Sequence, residues 1–262
     1  MRLKSPWLAA TILLAAALPG RALPWGRTRV PAAWPAAAVQ VDGGEAKWSG
    51  AEEVDQSPLT LRALSDASRL FLRLSADGPE GRALLTGTYR QDLTLWFLDA
   101  KGKSRTWGIL LPFSSLGPPS PEAAQHVREA PTGIPSIEVQ LALPRRVDVS
   151  TAALPQDIQI QAFFEHRDPV FELAVPLARL AGAGSRAVSL DVVSSPVAAS
   201  IQHLLKTASA GAEASASADA AASGKALESG RKRAAQLRPL EFPEPLDLSF
   251  SVRLASEPDE PR

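Results

Sequence analysis

The sequence of 262 residues contains no cysteine. This absence excludes disulfides, thiolate metal sites, cysteine nucleophiles and a lipid attached to an N-terminal cysteine. Histidine is also scarce, with three residues, so a histidine-rich metal site is not expected. Neither sign of charge is in excess, because 28 basic residues balance 28 acidic ones. A chain without a basic excess lacks the electrostatic attraction on which nucleic-acid binding depends.

Motifs of the common enzyme classes are missing as well. The chain has no G-x-S-x-G nucleophile elbow, no phosphate loop and no dinucleotide fingerprint. His166-Arg167-Asp168 matches the tripeptide of a kinase catalytic loop, but the rest of that motif set is absent, so the tripeptide predicts a hairpin turn. We therefore predict that the protein is not an enzyme.

The first 22 residues have the three-part pattern of a secretory signal peptide. Arg2 and Lys4 supply positive charge, an apolar run of 11 residues follows at 8–18, and the small-residue site 20–22 comes after it. A membrane anchor is the alternative, but a spanning helix needs about 20 apolar residues. The pattern predicts a protein that is exported, to the periplasm or to the outside of the cell.

Cleavage after residue 22 would change the net charge. It removes Arg2, Lys4 and Arg21 and no acidic residue, so the basic count falls from 28 to 25 against 28 acidic residues, a net charge of −3. No second long apolar segment follows. We therefore expect no membrane span after signal cleavage and no nucleic-acid partner.

Composition divides the remaining chain. Residues 23–38 are rich in proline and have no periodicity. They are predicted to form an extended lead-in and not a packed secondary-structure element. Residues 207–235 include 12 Ala, 5 Ser and 3 Gly, so they have little to bury and are predicted to be a disordered insertion. A weak alanine-rich helix is the alternative for this insertion. Residues 198–206 could form a short helix before it, and 255–262 form a polar tail.

The body of the chain, 39–254, has a hydrophobic period of two. Such alternation is typical of half-buried strands that have one face on a core and the other in water. About nine or ten strands predict an all-β fold, a single antiparallel β-sandwich of immunoglobulin-like or jelly-roll-like type. The alternating segments are 59–63, 70–75, 92–97, 107–111, 137–143, 158–164, 171–177, 188–192 and 246–254.

Four motifs occur in order along this body. They are VQVDG at 39–43 with KW at 47–48, the strand pair 61–65 and 69–74 (RLFLRL), QDLTLWFLD at 91–99 and FELAVPL at 171–177. With this ordered set, the chain resembles the domains of secreted bacterial proteins that are similar to carbohydrate-binding module family 9, within the wider group of DOMON-like β-sandwiches.

The resemblance implies a sugar held against exposed aromatic rings, since a flat ring offers an apolar face to the CH groups of a pyranose. The candidates for such a platform are Trp96, Phe71 and Tyr89. Trp96 and Phe71 are out of phase with their apolar neighbours, so both should point away from the core, and they could share one surface if their strands pair. The alternative is that both rings are buried under loops. Trp107 is in phase with Ile109 and is expected in the core.

No cofactor is expected. A haem-binding relative would need axial ligands such as Met and His, and the single methionine is Met1 in the signal peptide. Some members of the family bind Ca²⁺, and carboxylates that flank turns could supply oxygen ligands, although turn stabilisation is the commoner role of such residues. These turn carboxylates are Asp42, Glu45, Asp77, Asp92 and Asp99.

Trp48 follows a turn. It is expected to cap one end of the sandwich, and sugar binding is the alternative role.

Two functions from different classes are compatible with the sequence. The first is a non-catalytic carbohydrate-binding module whose partner is a polysaccharide. The second is a structural or protein-interaction domain of the cell envelope, with an envelope protein as partner and no sugar ligand. The exposure of Trp96 and Phe71 separates the two.

Overall fold

The strands of the protein are short and numerous, as the period of two predicts. The computed structural model describes residues 26–116, 137–144, 149–166, 168–181, 184, 186–207 and 244–257. The strands in these ranges are β1 (Thr28–Pro31), β2 (Val54–Gln56), β3 (Leu59–Ser65), β4 (Arg69–Ala76), β5 (Leu93–Leu98), β6 (Arg105–Leu111), β7 (Gln140–Pro144), β8 (Val149–Ala153), β9 (Gln159–Glu165), β10 (Asp168–Pro176), β11 (Ala187–Ser194) and β12 (Asp247–Arg253). The helices are α1 (Gly78–Leu85), α2 (199–207) and the 3-10 helices Glu45–Trp48, Phe113–Leu116 and Leu177–Arg179.

These strands form two sheets. The seven-stranded sheet has the order β1-β12-β11-β5-β6-β7-β8, and the five-stranded sheet has the order β2-β3-β4-β10-β9. One apolar core contains residues of both sheets, among them Leu72 and Leu173 from the five-stranded sheet and Leu95 and Phe250 from the seven-stranded sheet. The predicted all-β sandwich is therefore confirmed. The pairing is antiparallel except between β1 and β12, which run parallel.

The proline-rich lead-in packs more closely than its composition predicts. Thr28–Pro31 pairs with the last strand, and Val30 is fully buried in the core. Ala33 then forms a parallel bridge to Leu64 in the other sheet. The prediction of an unpacked lead-in is wrong here, because a single buried valine between prolines produces no periodic pattern. Pro31 is tolerated because its strand lies at a sheet edge.

Helix α1 is a second departure from the sequence pattern. Asp77-Gly78-Pro79 is typical of a turn, but these residues begin the helix, with Asp77 in the N-cap position. Proline is favoured in a first helical turn because its missing N–H has no partner there anyway. The helix lies directly against the backbone, since a Cβ built on Gly81 would stand 1.9 Å from the carbonyl oxygen of Pro58.

Several predicted segments fall outside the described residues. These are the signal peptide 1–22, the insertion 207–235 apart from its first residue, and the end of the tail from 258. The short helix predicted at 198–206 is confirmed as α2. No helix among the described residues combines the length and apolarity that a membrane crossing requires.

Candidate functional site: a polar groove on the five-stranded sheet

The outer face of the five-stranded sheet is built from the residues that alternate with its core positions. The strand register places Arg62, Arg73, Glu172 and Gln161 in one row across this face. A second row consists of Leu64, Phe71, Ala174 and Gln159. The segment 33–51, which we call the covering segment, lies over the part of the two rows that belongs to β3, β4 and β10, since its residues contact side chains of both rows.

A buried ion pair anchors the first row. The side chain of Glu172 is 1% exposed and that of Arg73 is 2% exposed, and Arg73 Nη1 lies 2.9 Å from Glu172 Oε1. Trp48 Nε1 donates to the same carboxylate at 2.6 Å, and the backbone N–H of Gly43 donates to its other oxygen at 3.1 Å. A buried charge is stable only when it is paired and hydrogen-bonded, and here both conditions are met. The arrangement joins the covering segment to β4 and β10.

Further ion pairs hold the covering segment in place. Lys47 contacts Glu172 at 2.8 Å and Asp42 at 2.5 Å, and its hydrogen bond keeps the pKa of the Asp42 carboxyl below the ordinary value. Glu45 bonds to Arg62 at 2.5 Å. Partial burial acts to raise the pKa of Glu45, but the bond to Arg62 and the charge of Arg73 outweigh it and lower the pKa. The charged side chains of Lys47, Asp42 and Glu45 therefore all form ion pairs within the protein.

Phe71 belongs to the second row and is buried. It is 3% exposed and packs with Trp48, Leu64 and Ala174 under the covering segment. The prediction that Phe71 points away from the central core is confirmed. Its ring belongs to a small second core beneath the covering segment, and the residue also lines a groove beside that segment.

The covering segment leaves one side of this outer face open. A groove of about 820 Å³ runs between residues 38–41 and β9. Exposed amides line it, Gln159 and Gln161 from β9, and Gln40 stands on the opposite wall. Apolar residues line it as well, among them Phe71, Leu154 and Ile158. Apolar lining with a few polar side chains is the usual construction of a small-ligand site.

The turn between β3 and β4 forms one end of the groove. Asp66 Oδ1 accepts hydrogen bonds from the backbone N–H groups of Ser68 at 2.7 Å and Arg69 at 2.8 Å, which fixes the turn. This geometry carries the side chains of Ser68 and Arg69 to the groove. Among the described residues, no carboxylate lies within 4.0 Å of the Arg69 guanidinium.

Trp96 lies on the other sheet. Its strand β5 pairs with β11 and β6, whereas the strand of Phe71 pairs with β3 and β10. The expectation that the two rings share one surface is therefore wrong, because their strands belong to different sheets. Trp96 does point away from the core, but it is 3% exposed. The Arg105 guanidinium stands 5.5 Å from the ring centre, and the ring packs against Gly108.

Tyr89 is placed at a third location. It packs, partly buried, against the apolar cluster of Val197, Ile201 and Leu205, which includes residues of α2. The structure therefore brings no two of the three candidate rings together. A ligand-binding role for each of them remains a prediction.

Two other tryptophans have structural positions. Trp107 packs against the core, stacks on Phe97 with ring centres 4.4 Å apart and donates to the carbonyl of Arg179 at 3.1 Å. Trp48 is 1% exposed, but it covers the outer face of a sheet and does not cap an end of the sandwich. That prediction is wrong in its location, because the covering segment crosses the face.

Two of the turn carboxylates have hydrogen-bond partners within the protein. Asp92 accepts two hydrogen bonds from Ser114, at 2.7 and 2.9 Å, and Asp99 accepts one from the backbone of Lys103 at 2.7 Å. Within the described ranges, no three carboxylate or histidine side chains stand in a group that could hold a metal ion. Asp99 is thus explained by its turn, whereas Asp92 joins the start of β5 to the 3-10 helix Phe113–Leu116.

Apart from Phe71, the residues that line the groove were not predicted as site residues from the sequence. Gln159 and Gln161 follow the period of two, and their alternation predicts solvent exposure but no function. Their relation to residues 38–41 depends on the path of the covering segment, which joins positions more than 100 residues apart in the chain. No local signal in the sequence indicates this contact.

The similarity of this chain to known proteins is distant. No family model matches the chain, and no curated protein does. Among solved structures, it is similar to a carbohydrate-binding module of family 9 from Caldicellulosiruptor kristjanssonii in complex with cellotriose, with a TM-score of 0.35, 10% identity, 66% of this chain covered and 80% of that chain. The same module in complex with glucose gives a TM-score of 0.35 and 9% identity, over 66% and 81% of the two chains. The assignment to a β-sandwich rests on the two packed sheets and not on this likeness.

Proposed function

We propose that the protein is an exported, non-catalytic module that binds a saccharide in the groove on the five-stranded sheet. The observation that carries this proposal is the set of exposed side-chain amides, Gln159, Gln161 and Gln40, in a groove that apolar residues also line. An amide both donates and accepts hydrogen bonds, as the hydroxyl groups of a sugar do. The apolar lining residues offer contact to the CH groups. The signal-peptide pattern at 1–22 supports export.

The test removes the amides while it keeps the shape of the side chains. Binding of a panel of soluble oligosaccharides is measured by calorimetry for the wild type and for the double variant Gln159→Leu/Gln161→Leu. Two net hydrogen bonds predict a loss of affinity of about tenfold or more. The control is Thr151→Leu on β8, an exposed strand residue of the other sheet, which should leave affinity unchanged.

The structural or interaction domain remains the second candidate, and two observations favour it. Trp96 and Phe71, whose exposure was expected for an aromatic sugar platform, are each 3% exposed. In the described part of the chain, β9 pairs on one side only, with β10, so its outer edge could accept a strand of a partner protein. The panel separates the two functions. If no saccharide binds the wild type, or if the double variant binds as well as the control, the groove proposal is wrong and the edge of β9 becomes the site to examine.

A further inference from the structure

One basic side chain on the outer face of the five-stranded sheet differs from the rest. Arg62, Arg73 and Lys47 each contact at least two carboxylates there, among them Glu45 and Glu172. These three cations are neutralised within the protein. Arg69 lies in the groove on the same face and, in the described ranges, contacts no carboxylate within 4.0 Å. Its guanidinium is therefore available to a ligand.

Two carboxylates that interact with Arg69, Asp66 and Asp157, have other partners. Asp66 uses one oxygen for three hydrogen bonds within its turn, to Ser68 and to the backbone of Arg69. Asp157 is bonded to Arg179 at 2.8 Å, and this bond is the largest cause of its lowered pKa. The charge of Arg69 also contributes to that lowering, which places Arg69 near Asp157 without an ion pair between them. Neither Asp66 nor Asp157 forms an ion pair with the Arg69 guanidinium.

We propose that the saccharide bound in the groove is anionic, and that Arg69 holds its carboxylate or sulfate group. This proposal rests on the proposed function, because it names the class of sugar for the same groove. A guanidinium presents two parallel N–H groups that match the oxygens of a carboxylate or a sulfate ester, and such charge-assisted pairs are stronger than neutral hydrogen bonds. Gln159 and Gln161 then bind hydroxyl groups beside the charged group, and Ser68 lies next to Arg69 at the same end.

The experiment compares sugars that differ only in charge. Calorimetry measures wild-type binding of trigalacturonic acid, its methyl ester, galactotriose and a sulfated galactotriose. The wild type should bind at least one acidic form about 10- to 100-fold more tightly than the neutral forms, as expected for one charged hydrogen-bonded pair. The preference should weaken between about 50 mM and about 500 mM salt, since the site is open to solvent. The two acidic ligands distinguish a carboxylate from a sulfate.

Variants test whether Arg69 is responsible. Arg69→Gln should remove the preference for acidic sugars, whereas Arg69→Lys should keep part of the preference because it keeps the charge without the planar fork. Arg253→Gln is the matched control, an exposed arginine on β12 of the other sheet. Thermal unfolding of each variant verifies that it is folded.

The outcomes separate this inference from the proposed function. If galactotriose and the acidic sugars bind equally well, or if Arg69→Gln behaves as Arg253→Gln does, the inference is wrong and saccharide binding stands. If neither neutral nor acidic sugars bind the wild type, the proposed function itself is wrong. A preference for acidic sugars that disappears only in Arg69→Gln and is partly retained in Arg69→Lys supports both.

Discussion

Trp48 and Trp96 are buried tryptophans that both lie outside the central core, one against each sheet. Trp48 comes from the covering segment, and its ring nitrogen donates to Glu172 in the sheet below. Trp96 comes from a strand of the sheet itself, and it packs between Gly108 of the neighbouring strand and Arg105. The first is buried because a distant segment brings it to the sheet. The second is buried because Gly108 has no side chain to displace the ring and the Arg105 guanidinium lies over it.

Exposure on the outer face of a sheet depends on what covers that face as well as on the direction of the side chain. Phe71 and Trp96 both alternate with core residues, and that pattern alone predicts solvent contact. Both are nevertheless 3% exposed, Phe71 under the covering segment and Trp96 between Gly108 and Arg105. The part of the five-stranded sheet that stays open carries amides and Arg69, which contacts no carboxylate among the described residues. The aromatic positions that alternation predicts to be exposed are therefore covered, and the open positions are polar.

The largest effect is expected where the covering segment meets the sheet. Glu172→Leu leaves the buried guanidinium of Arg73 without its most buried carboxylate partner and removes the partner of Trp48 Nε1. Breaking a buried pair by removing one member is expected to lower the free energy of unfolding by about 3–5 kcal/mol. Urea denaturation measures this loss.

Two further substitutions sharpen that result. Glu172→Gln keeps hydrogen-bonding oxygen and nitrogen atoms and should lose less stability than Glu172→Leu. Glu52→Gln is the control, since Glu52 is exposed and belongs to no ion pair among the described residues, and it should change stability by less than about 0.5 kcal/mol. Equal losses for Glu172→Leu and Glu52→Gln would mean that the buried pair does not hold the covering segment.

A smaller effect is expected beneath Trp96. A Cβ at position 108 would stand 2.8 Å from the carbonyl oxygen of Leu95 and 2.9 Å from the Trp96 ring. Gly108→Ala should therefore displace the indole and destabilise the protein by about 1–3 kcal/mol, as overpacking does. Tryptophan fluorescence during urea unfolding reports both the stability and the environment of the ring.

The matched control for this substitution is Gly50→Ala. A Cβ at Gly50 meets no atom within 4 Å, and its backbone does not need a positive φ. The control should be neutral or slightly stabilising, because alanine has fewer unfolded conformations than glycine. A neutral Gly108→Ala would show that Trp96 is not confined by its neighbours and could open to a ligand.

The smallest effect concerns the pH dependence of the covering segment. The pKa of Glu45 is lowered in the folded protein, so its stabilising contribution is complete above the unfolded value near 4.5 and is lost as the pH falls through the folded value. The carboxylate is 48% exposed, so solvent screening should hold the contribution below about 1 kcal/mol.

Urea unfolding at two pH values measures this contribution. The wild type should be more stable than Glu45→Gln at about pH 6, and the difference should shrink as the pH falls to about 3. Asp55→Gln, on the same sheet, should show no such convergence, since Asp55 has no ion pair in the described residues. A constant difference between wild type and Glu45→Gln at both pH values would contradict the assigned role.

The strands with a clear period of two were predictable from the sequence, and those without it were not. Segments such as 59–63 and 188–192 alternate strictly because one face of each lies on the core. β8 has no such alternation, since four of its five residues are exposed. Thr28–Pro31 gains its place from backbone pairing with β12, and a side-chain pattern does not report backbone pairing.

The candidate site was less predictable than the fold. The amide at Gln161 is unremarkable in its own strand, and Arg69 follows an ordinary turn. They become parts of one groove because residues 38–41 lie opposite β9, and because nearby acids such as Asp157 are bonded elsewhere. Both conditions depend on contacts between distant segments.

The sequence by itself determined the fold class, the outward direction of Phe71 and Trp96, and the exclusion of cysteine chemistry. Alternation and composition are local properties, and they limit the outcome before any long-range contact forms. Tertiary structure alone decided which outward residues are covered, which charges are paired and where the groove opens. Burial and ion pairing are properties of segments that meet in space, and the covering segment meets β4, β9 and β10 only in the folded protein.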